Sequence, residues 1–414
     1  MTRTITARTG LIPRLPRAAV TILAGDALSA LGSGMSMPFM LVYLHQVRGI
    51  DMATAGLALS TIALASFVGN PLGGTLTDRF SARTALLNGL MFSAAGAATL
   101  GWVTGAPIAF LAAALLGLGN SIAWPAFDAL LATVVEPEQR SAAFALRHAT
   151  LNAGIAVGAV AAGLIVDVAR PSTFQIIYLI DAATFLLFVP VLKLIPATRT
   201  GVPEARADGG YRTVLRDKLL LSIVGLSALV VTVGFSQYHA AFPGWATRDR
   251  GIPVSALGIC FAANAATVVL TQLPVLRALT GHRRTTAVSL ACAGWAAAWL
   301  VALVAGHSGS GWFAITGFVA TMVMFGIAET ALAPTLTAIV NDLAPGHLRG
   351  RYNAVSALGW TTGFFVGPAI SGFAFQTQHG TTLMILLIVT SLAGVLWATA
   401  LGRRLPSSAN RISA

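Results

Sequence analysis

Four acidic residues fall inside long apolar runs: Asp26, Asp128, Asp181 and Glu329. A carboxylate at the bilayer centre costs roughly 2.5–3.5 kcal/mol on insertion scales, so each marks a candidate for holding substrate or a proton. The plainer alternative is a satisfied hydrogen bond between helices. Asp26, Ser29, Ser33 and Ser36 recur at helical spacing, which predicts one polar face along a water-filled cavity. Asn120, Trp124 and Asp128 form a second face, where Asp128 is also a potential partner for Arg140 or Arg147. His148 shares a face with Asn152, and imidazole suits proton handling near neutral pH. Gln237 with Tyr238, Asn264 with Thr267 and Thr271, and Trp360 with Ser356 extend the polar and aromatic set. Aromatic rings beside a few acids suit an amphiphilic or cationic organic molecule, through stacking and cation–π contact. Packing or an interfacial belt accounts for aromatics equally well.

The elements that must position these residues follow from composition. Of 414 residues, 56% are hydrophobic and 10% charged, with a mean hydropathy of +0.78. Soluble domains carry about 25% charged residues, so an ordinary soluble enzyme is excluded. A spanning helix needs roughly 20 apolar residues. Breaks in the apolar pattern predict twelve spans, at 17–44, 54–77, 84–104, 107–134, 142–167, 174–195, 219–245, 254–279, 286–306, 311–341, 351–376 and 382–402. The expected fold is therefore an all-α integral membrane protein. No nucleotide-binding loop, paired histidine ligands or nucleophile elbow occurs in the sequence, which argues against an enzyme or an ATP-driven pump. Cys260 and Cys292 lie in apolar runs, with no disulfide framework or zinc spacing. Neither a metal nor a cofactor is expected.

The net charge of +12 raises the question of nucleic acid, but the basic residues are spread rather than clustered on a soluble face. With the N-terminus in the cytoplasm, 22 Arg and Lys fall on cytoplasmic segments or helix ends, against four outside (Arg48, Arg170, Arg248 and Arg250). By the positive-inside rule both termini are cytoplasmic. The two lysines, Lys193 and Lys218, and the Ala and Gly excess suit a GC-rich bacterial genome. The longest polar stretch, 196–218, reads as a cytoplasmic linker between residues 1–195 and 219–414, each a six-helix bundle.

A shift of 209 residues aligns the chain with itself. Gly117, Pro125, Ala129, Arg140, Ala145, Gly154, Val157, Gly158 and Gly163 meet identical residues from Gly326 to Gly372. Glu329 then falls on Asn120. Two parallel six-helix halves around a midplane site is one of the known transporter layouts.

After the second span stands Gly74-Thr75-Leu76-Thr77-Asp78-Arg79-Phe80-Ser81-Ala82-Arg83. It resembles the cytoplasmic signature of the major facilitator superfamily, with its Gly, Asp, Arg and final basic residue at Gly74, Asp78, Arg79 and Arg83. The resemblance implies that this loop gates the cytoplasmic side. Gly25-Asp26-Ala27-Leu28, Gly117-Leu118-Gly119 with Pro125, and Arg216-Asp217-Lys218 are similar to the bacterial drug-efflux members. Ala113 departs from their usual arginine, and Gly158-Ala159 from their usual Gly-Pro, which occurs instead at Gly367-Pro368. The resemblance implies alternating access in a bacterial cytoplasmic membrane, by a monomer. It implies efflux of lipophilic or cationic drugs, with protons as coupling partner and the proton gradient as energy source. Metabolite export, sugar or nutrient uptake and lysophospholipid flipping are the alternative cargoes.

Overall fold

The computed structural model describes residues 15–136, 139–193, 195, 211–308, 311–332 and 335–412. Residues 196–210, most of the expected linker, lie outside that set. Among the described residues twelve long helices follow in order. They are α1 (Arg17–Ser36), α2 (Met52–Arg79), α3 (Ala82–Gly101), α4 (Ala106–Val134), α5 (Arg140–Ile165) and α6 (Pro171–Lys193), then α7 (Lys218–Val233), α8 (Val254–Leu279), α9 (Arg284–His307), α10 (Trp312–Leu332), α11 (Arg349–Gln376) and α12 (Gly380–Gly402). Eleven spans are long and apolar enough to cross a membrane. The exception is α11, whose Asn353, Ser356, Thr361 and Thr362 dilute its hydropathy. Its length of 28 residues suffices for crossing.

Side-chain caps start three helices where the chain leaves a loop. Asp51 Oδ1 accepts from the Thr54 N–H at 2.9 Å, Ser81 Oγ from Thr84 N–H at 3.1 Å, and Asp217 Oδ1 from Leu219 N–H at 2.9 Å. Asp217 also accepts from the Tyr352 hydroxyl at 2.8 Å, tying α7 to α11.

Three spans are less regular than the periodicity predicts. The first continues beyond α1 through a 3₁₀ turn at Met37–Phe39 and a π turn at Tyr43–Val47. Pro38, which offers no N–H, falls at that change. The seventh breaks at Gly234, where the Trp295 ring lies so close that a Cβ would sit 2.5 Å from it. It resumes in short pieces ending in a π turn at Gly244–Asp249. The tenth ends at Leu332, and a separate helix, Leu336–Leu343, follows.

The first six helices pack as α1 on α5 and α6, α2 and α3 on α4, and α3 on α6. The last six pack as α7 on α11 and α12, α8 on α10, and α9 on α10 and α12. The two sets meet along α2–α11 and α5–α8. Both seams are glycine contacts. A Cβ on Gly56 would lie 2.9 Å from Gly372 Cα, and one on Gly258 would lie 3.0 Å from Gly163 Cα. Small residues let helix backbones approach this closely in a membrane.

These contacts concentrate at the end of the bundle opposite the termini. There Gln46 Nε2 donates to Thr247 Oγ1 at 3.0 Å, and Met52 N–H to Gln376 Oε1 at 3.0 Å. A repeat that the 209-residue shift misses lies at the same end. Arg48-Gly49-Ile50 and Arg250-Gly251-Ile252 each turn the chain through a left-handed glycine, at φ 68° and 65°. Only glycine adopts this region without steric cost.

Candidate functional site

The helices gather three charges at the centre of the first six. Arg147, on α5, is 7% exposed. Its Nε donates to Asp26 Oδ2 on α1 at 3.1 Å, and its Nη1 to Asp128 Oδ1 on α4 at 2.5 Å. The guanidinium also lies 4.0 Å from the Phe127 ring centre and 4.8 Å from that of Trp124. Arginine suits this place because its planar fork reaches two carboxylates while its faces stack on rings. A buried ion pair survives desolvation only with such close partners. With both carboxyl groups ionised, the cluster carries one negative charge in excess.

A cavity of about 130 Å³ opens beside the cluster. Asp26, Ser29 and Ser33 line it from α1, as their spacing predicts, and Asn120 and Trp124 from α4. Ser93 of α3 reaches Asn120 Oδ1 at 3.4 Å. Phe185 and Phe188 of α6 supply an apolar wall. Trp124 is 57% exposed and the Asp128 side chain 42%. The site is therefore open on the side away from the glycine seams.

Arg147 is the residue that sequence reasoning misplaces. The positive-inside count treats it as one of the cytoplasmic charges, whereas the structure buries it seven residues into α5. The available signal was the pair of intramembrane acids that need a cation, together with Arg147 as a named partner for Asp128. The turn that follows is less involved. Asn152 is buried and donates to the His148 carbonyl at 2.9 Å, a bond within α5, and neither residue lines the cavity.

Asp181 stands behind the cavity, near the middle of α6. It is 1% exposed and accepts a hydrogen bond from Ser36 Oγ on α1.

The last six helices hold the remaining candidates apart from this cluster. Glu329 on α10 is partly buried, with the Asn264 amide and the Tyr238 ring as neighbours. Asn264 Nδ2 also donates to the Met322 carbonyl at 3.2 Å. Tyr238 packs on Phe261 at 4.6 Å between ring centres. Trp360 meets Phe235 at 5.5 Å, and Phe235 meets Trp295 at 5.5 Å. Gln237 is a structural tie rather than a free polar group. Its Nε2 donates to the carbonyls of Thr232 at 2.9 Å and Gly367 at 3.2 Å, and its Oε1 accepts from Ser371 at 2.5 Å. It pins the broken part of the seventh span to α11 beside Pro368, which explains its complete burial.

The Gly74–Arg83 signature straddles α2, the turn and α3. Gly74 is exposed with open space around it. Arg83 Nη1 donates to the Ile195 carbonyl at 2.8 Å, linking α3 to the end of α6. Arg79 lies 5.8 Å from the Phe80 ring centre. Among the described residues Asp78 makes no ion pair. No group of three or more His, Cys, Asp or Glu is placed to hold a metal among the described residues.

The sequence matches the family model of the Major Facilitator Superfamily over residues 22–243 and 224–414. An uncharacterized MFS-type transporter of Bacillus subtilis, YqjV, is 26% identical over 374 residues, 86% of each chain. The Na(+), Li(+), K(+)/H(+) antiporter of Planococcus maritimus is 24% identical, covering 91% of this chain and 93% of the relative. Multidrug resistance protein MdtH of Aeromonas hydrophila is 27% identical, covering 88% and 90%. Among solved structures, a POT family transporter in complex with 5-aminolevulinic acid aligns with TM-score 0.77 at 14% identity, over 96% of this chain and 99% of that one.

Proposed function

The chain belongs to the Major Facilitator Superfamily, and on that premise we propose that it exports lipophilic, cationic small molecules in exchange for protons. Family membership makes it a multi-pass membrane transporter, not an enzyme. The finer reading rests on the Asp26–Arg147–Asp128 cluster. Its one surplus negative charge faces a cavity walled by Trp124 and phenylalanines, which suits a cation with an apolar body. Protonation of either acid removes the surplus and with it the attraction for the cation. Binding of proton and of cargo thus oppose each other, which is the requirement for antiport.

The seams at one end and the open cavity at the other describe one extreme of an alternating cycle. With the termini in the cytoplasm of a bacterial inner membrane, this is the inward-facing extreme, and residues 1–195 and 219–414 are the rocking bodies. The monomer is the working unit and the proton gradient the energy source. Gly74, Asp78, Arg79 and Arg83 then serve the gate that closes in the opposite state.

The names of two relatives, one for multidrug resistance and one for cation/proton antiport, support export with proton exchange. Inorganic cations are the competing cargo, and the aromatic wall favours an organic one. Proteoliposomes with an imposed pH gradient decide between them. Tetraphenylphosphonium, ethidium, sodium and potassium are tested as cargo. Gradient-driven accumulation of an organic cation is expected. Asp128→Asn and Asp26→Asn lower it by roughly a hundredfold, on the scale of a positioned proton-handling group. Glu329→Gln, outside the cluster, lowers it by less than about tenfold. Flux indifferent to the gradient and to both Asp substitutions overturns the reading.

A further inference from the structure

The serine stripe on α1 leads away from the cavity to a second carboxyl group. Ser33 and Ser29 line the cavity with Asp26, and Ser33 also lies beside Asp181. Asp181 Oδ2 accepts from Ser36, while Oδ1 is buried without a hydrogen-bond partner. Ser29 Oγ and the Tyr178 hydroxyl are likewise buried and unpartnered. Buried polar atoms are rarely left so, and Asp181 Oδ1 and Ser29 Oγ, at the two ends of the stretch through Ser33, call for an explanation. Water in a polar space is the usual one, and the adjoining cavity of about 130 Å³ has room for it.

The surroundings of Asp181 bound this path. From α1 come Ser33 and Ser36, with Gly32 so close that a Cβ would sit 2.7 Å from Asp181 Oδ1. From its own helix come Tyr178, one turn earlier, and Thr184, whose hydroxyl donates to the Asp181 carbonyl at 2.7 Å. The Tyr178 ring lies 4.9 Å from that of Tyr43. Tyr43 donates to the Leu100 carbonyl of α3 at 2.8 Å and accepts from Arg48 Nε at 2.8 Å. Arg48 is the cation of this cluster, and it stands at the end of the bundle opposite the termini.

We propose that Asp181 is a proton-loading site, connected to Asp26 by Ser33, Ser29 and intervening water, with the Tyr43–Tyr178 pair as its seal toward the far end. The proposal rests on the proton-coupled reading above and adds a path that separates proton entry from cargo binding. In the transfer, protonated Asp181 gives its proton to the oxygen of Ser33 or of a water. That oxygen passes its own proton on, and Ser29 does the same. Every hydroxyl ends as it began, Asp181 becomes a carboxylate and Asp26 a carboxylic acid. Arg147 then keeps Asp128 as its charged partner, the surplus negative charge is gone and the cargo cation leaves.

The test compares two assays on the full chain in the same proteoliposomes, with tetraphenylphosphonium as probe. One is accumulation driven by a pH gradient, and the other is counterflow exchange without a gradient. Asp181→Asn is expected to reduce accumulation by roughly a hundredfold, the scale of a lost proton donor, and to leave counterflow at the wild-type rate. Asp181→Ser, smaller and without a carboxyl group, is expected to give the same split if the asparagine variant does not fold. A folded Asp181→Asn protein with wild-type accumulation overturns the relay, and so does an equal loss of counterflow. A wild-type chain that ignores the gradient overturns the proton-coupled reading itself.

Discussion

The first six and last six helices share one scaffold and differ in chemistry. Gly56 meets Gly372 across one seam, and Gly258 meets Gly163 across the other. Arg48-Gly49-Ile50 and Arg250-Gly251-Ile252 turn the chain in the same way. At the centre the likeness stops. On the 209-residue shift, Arg147 aligns with Ser356 and Asp128 with Thr337, both uncharged. Glu329 stands among an amide and aromatic rings, without a cation described beside it. Backbone packing is therefore duplicated, because both halves must close on each other. Among the described residues the Asp–Arg–Asp cluster is built once.

The sharpest way to break this contrast is at Arg147. Removing one partner of a buried charge cluster typically costs about 3–5 kcal/mol, because the remaining charges stay desolvated. Arg147→Ala is expected to lose folded protein or to lower the melting temperature strongly in detergent. Ser356→Ala, at the matched position, is expected to cost less than about 1 kcal/mol. Equal losses at the two positions defeat the idea that the switch is confined to one half.

The glycine seams test the likeness instead. A Cβ at Gly56 or Gly258 meets opposing backbone, which has little freedom to yield. Overpacking of this kind costs about 1–3 kcal/mol. Gly56→Ala and Gly258→Ala should each disfavour the closed seam by comparable amounts. Spin labels at Gln46 and Thr247 read the separation of that end. Opening in one variant but not the other shows that the seams are unequal.

How far this was legible in the sequence follows the same division. The spans were readable because lipid imposes an apolar run on eleven of them, while α11 shows itself by its length. The four-residue spacing of Asn120, Trp124 and Asp128, and the serine stripe after Asp26, placed one cavity wall from each of two helices. The break at Gly234 was not readable, since hydropathy is blind to where Trp295 will press. Gln237 misled because polarity alone does not distinguish a substrate group from a tie to Gly367 and Ser371. Arg147 was hidden by a rule that assigns arginines near helix ends to the membrane surface. That rule counts charge by position along the chain and takes no account of which acids face it across the bundle.

The smallest predicted effect lies just after the two matched turns, where Asp51 stands opposite Pro253. Asp51 is exposed and caps α2, and hydrogen bonds from the Thr54 side chain and N–H hold its carboxyl below the usual carboxylate range. Pro253 precedes α8 and offers no such cap. A lowered pKa in the folded state means that the contribution is full above the unfolded value of about 3.9 and is lost as pH falls through the folded one. Asp51→Ala should therefore cost about 1 kcal/mol at neutral pH, the usual worth of an N-cap, and less in acid. Pro253→Ala changes only backbone freedom, by up to about 1 kcal/mol, and carries no charge to titrate. Melting temperatures of both variants from pH 7 down to about 3, the range that spans an ordinary Asp, separate the two. A cap that matters gives a gap between Asp51→Ala and wild type that closes in acid, with a constant offset for Pro253→Ala. A constant offset for Asp51→Ala as well would mean that α2 begins where it does because of the packing of Gly56 on α11, with the cap adding nothing.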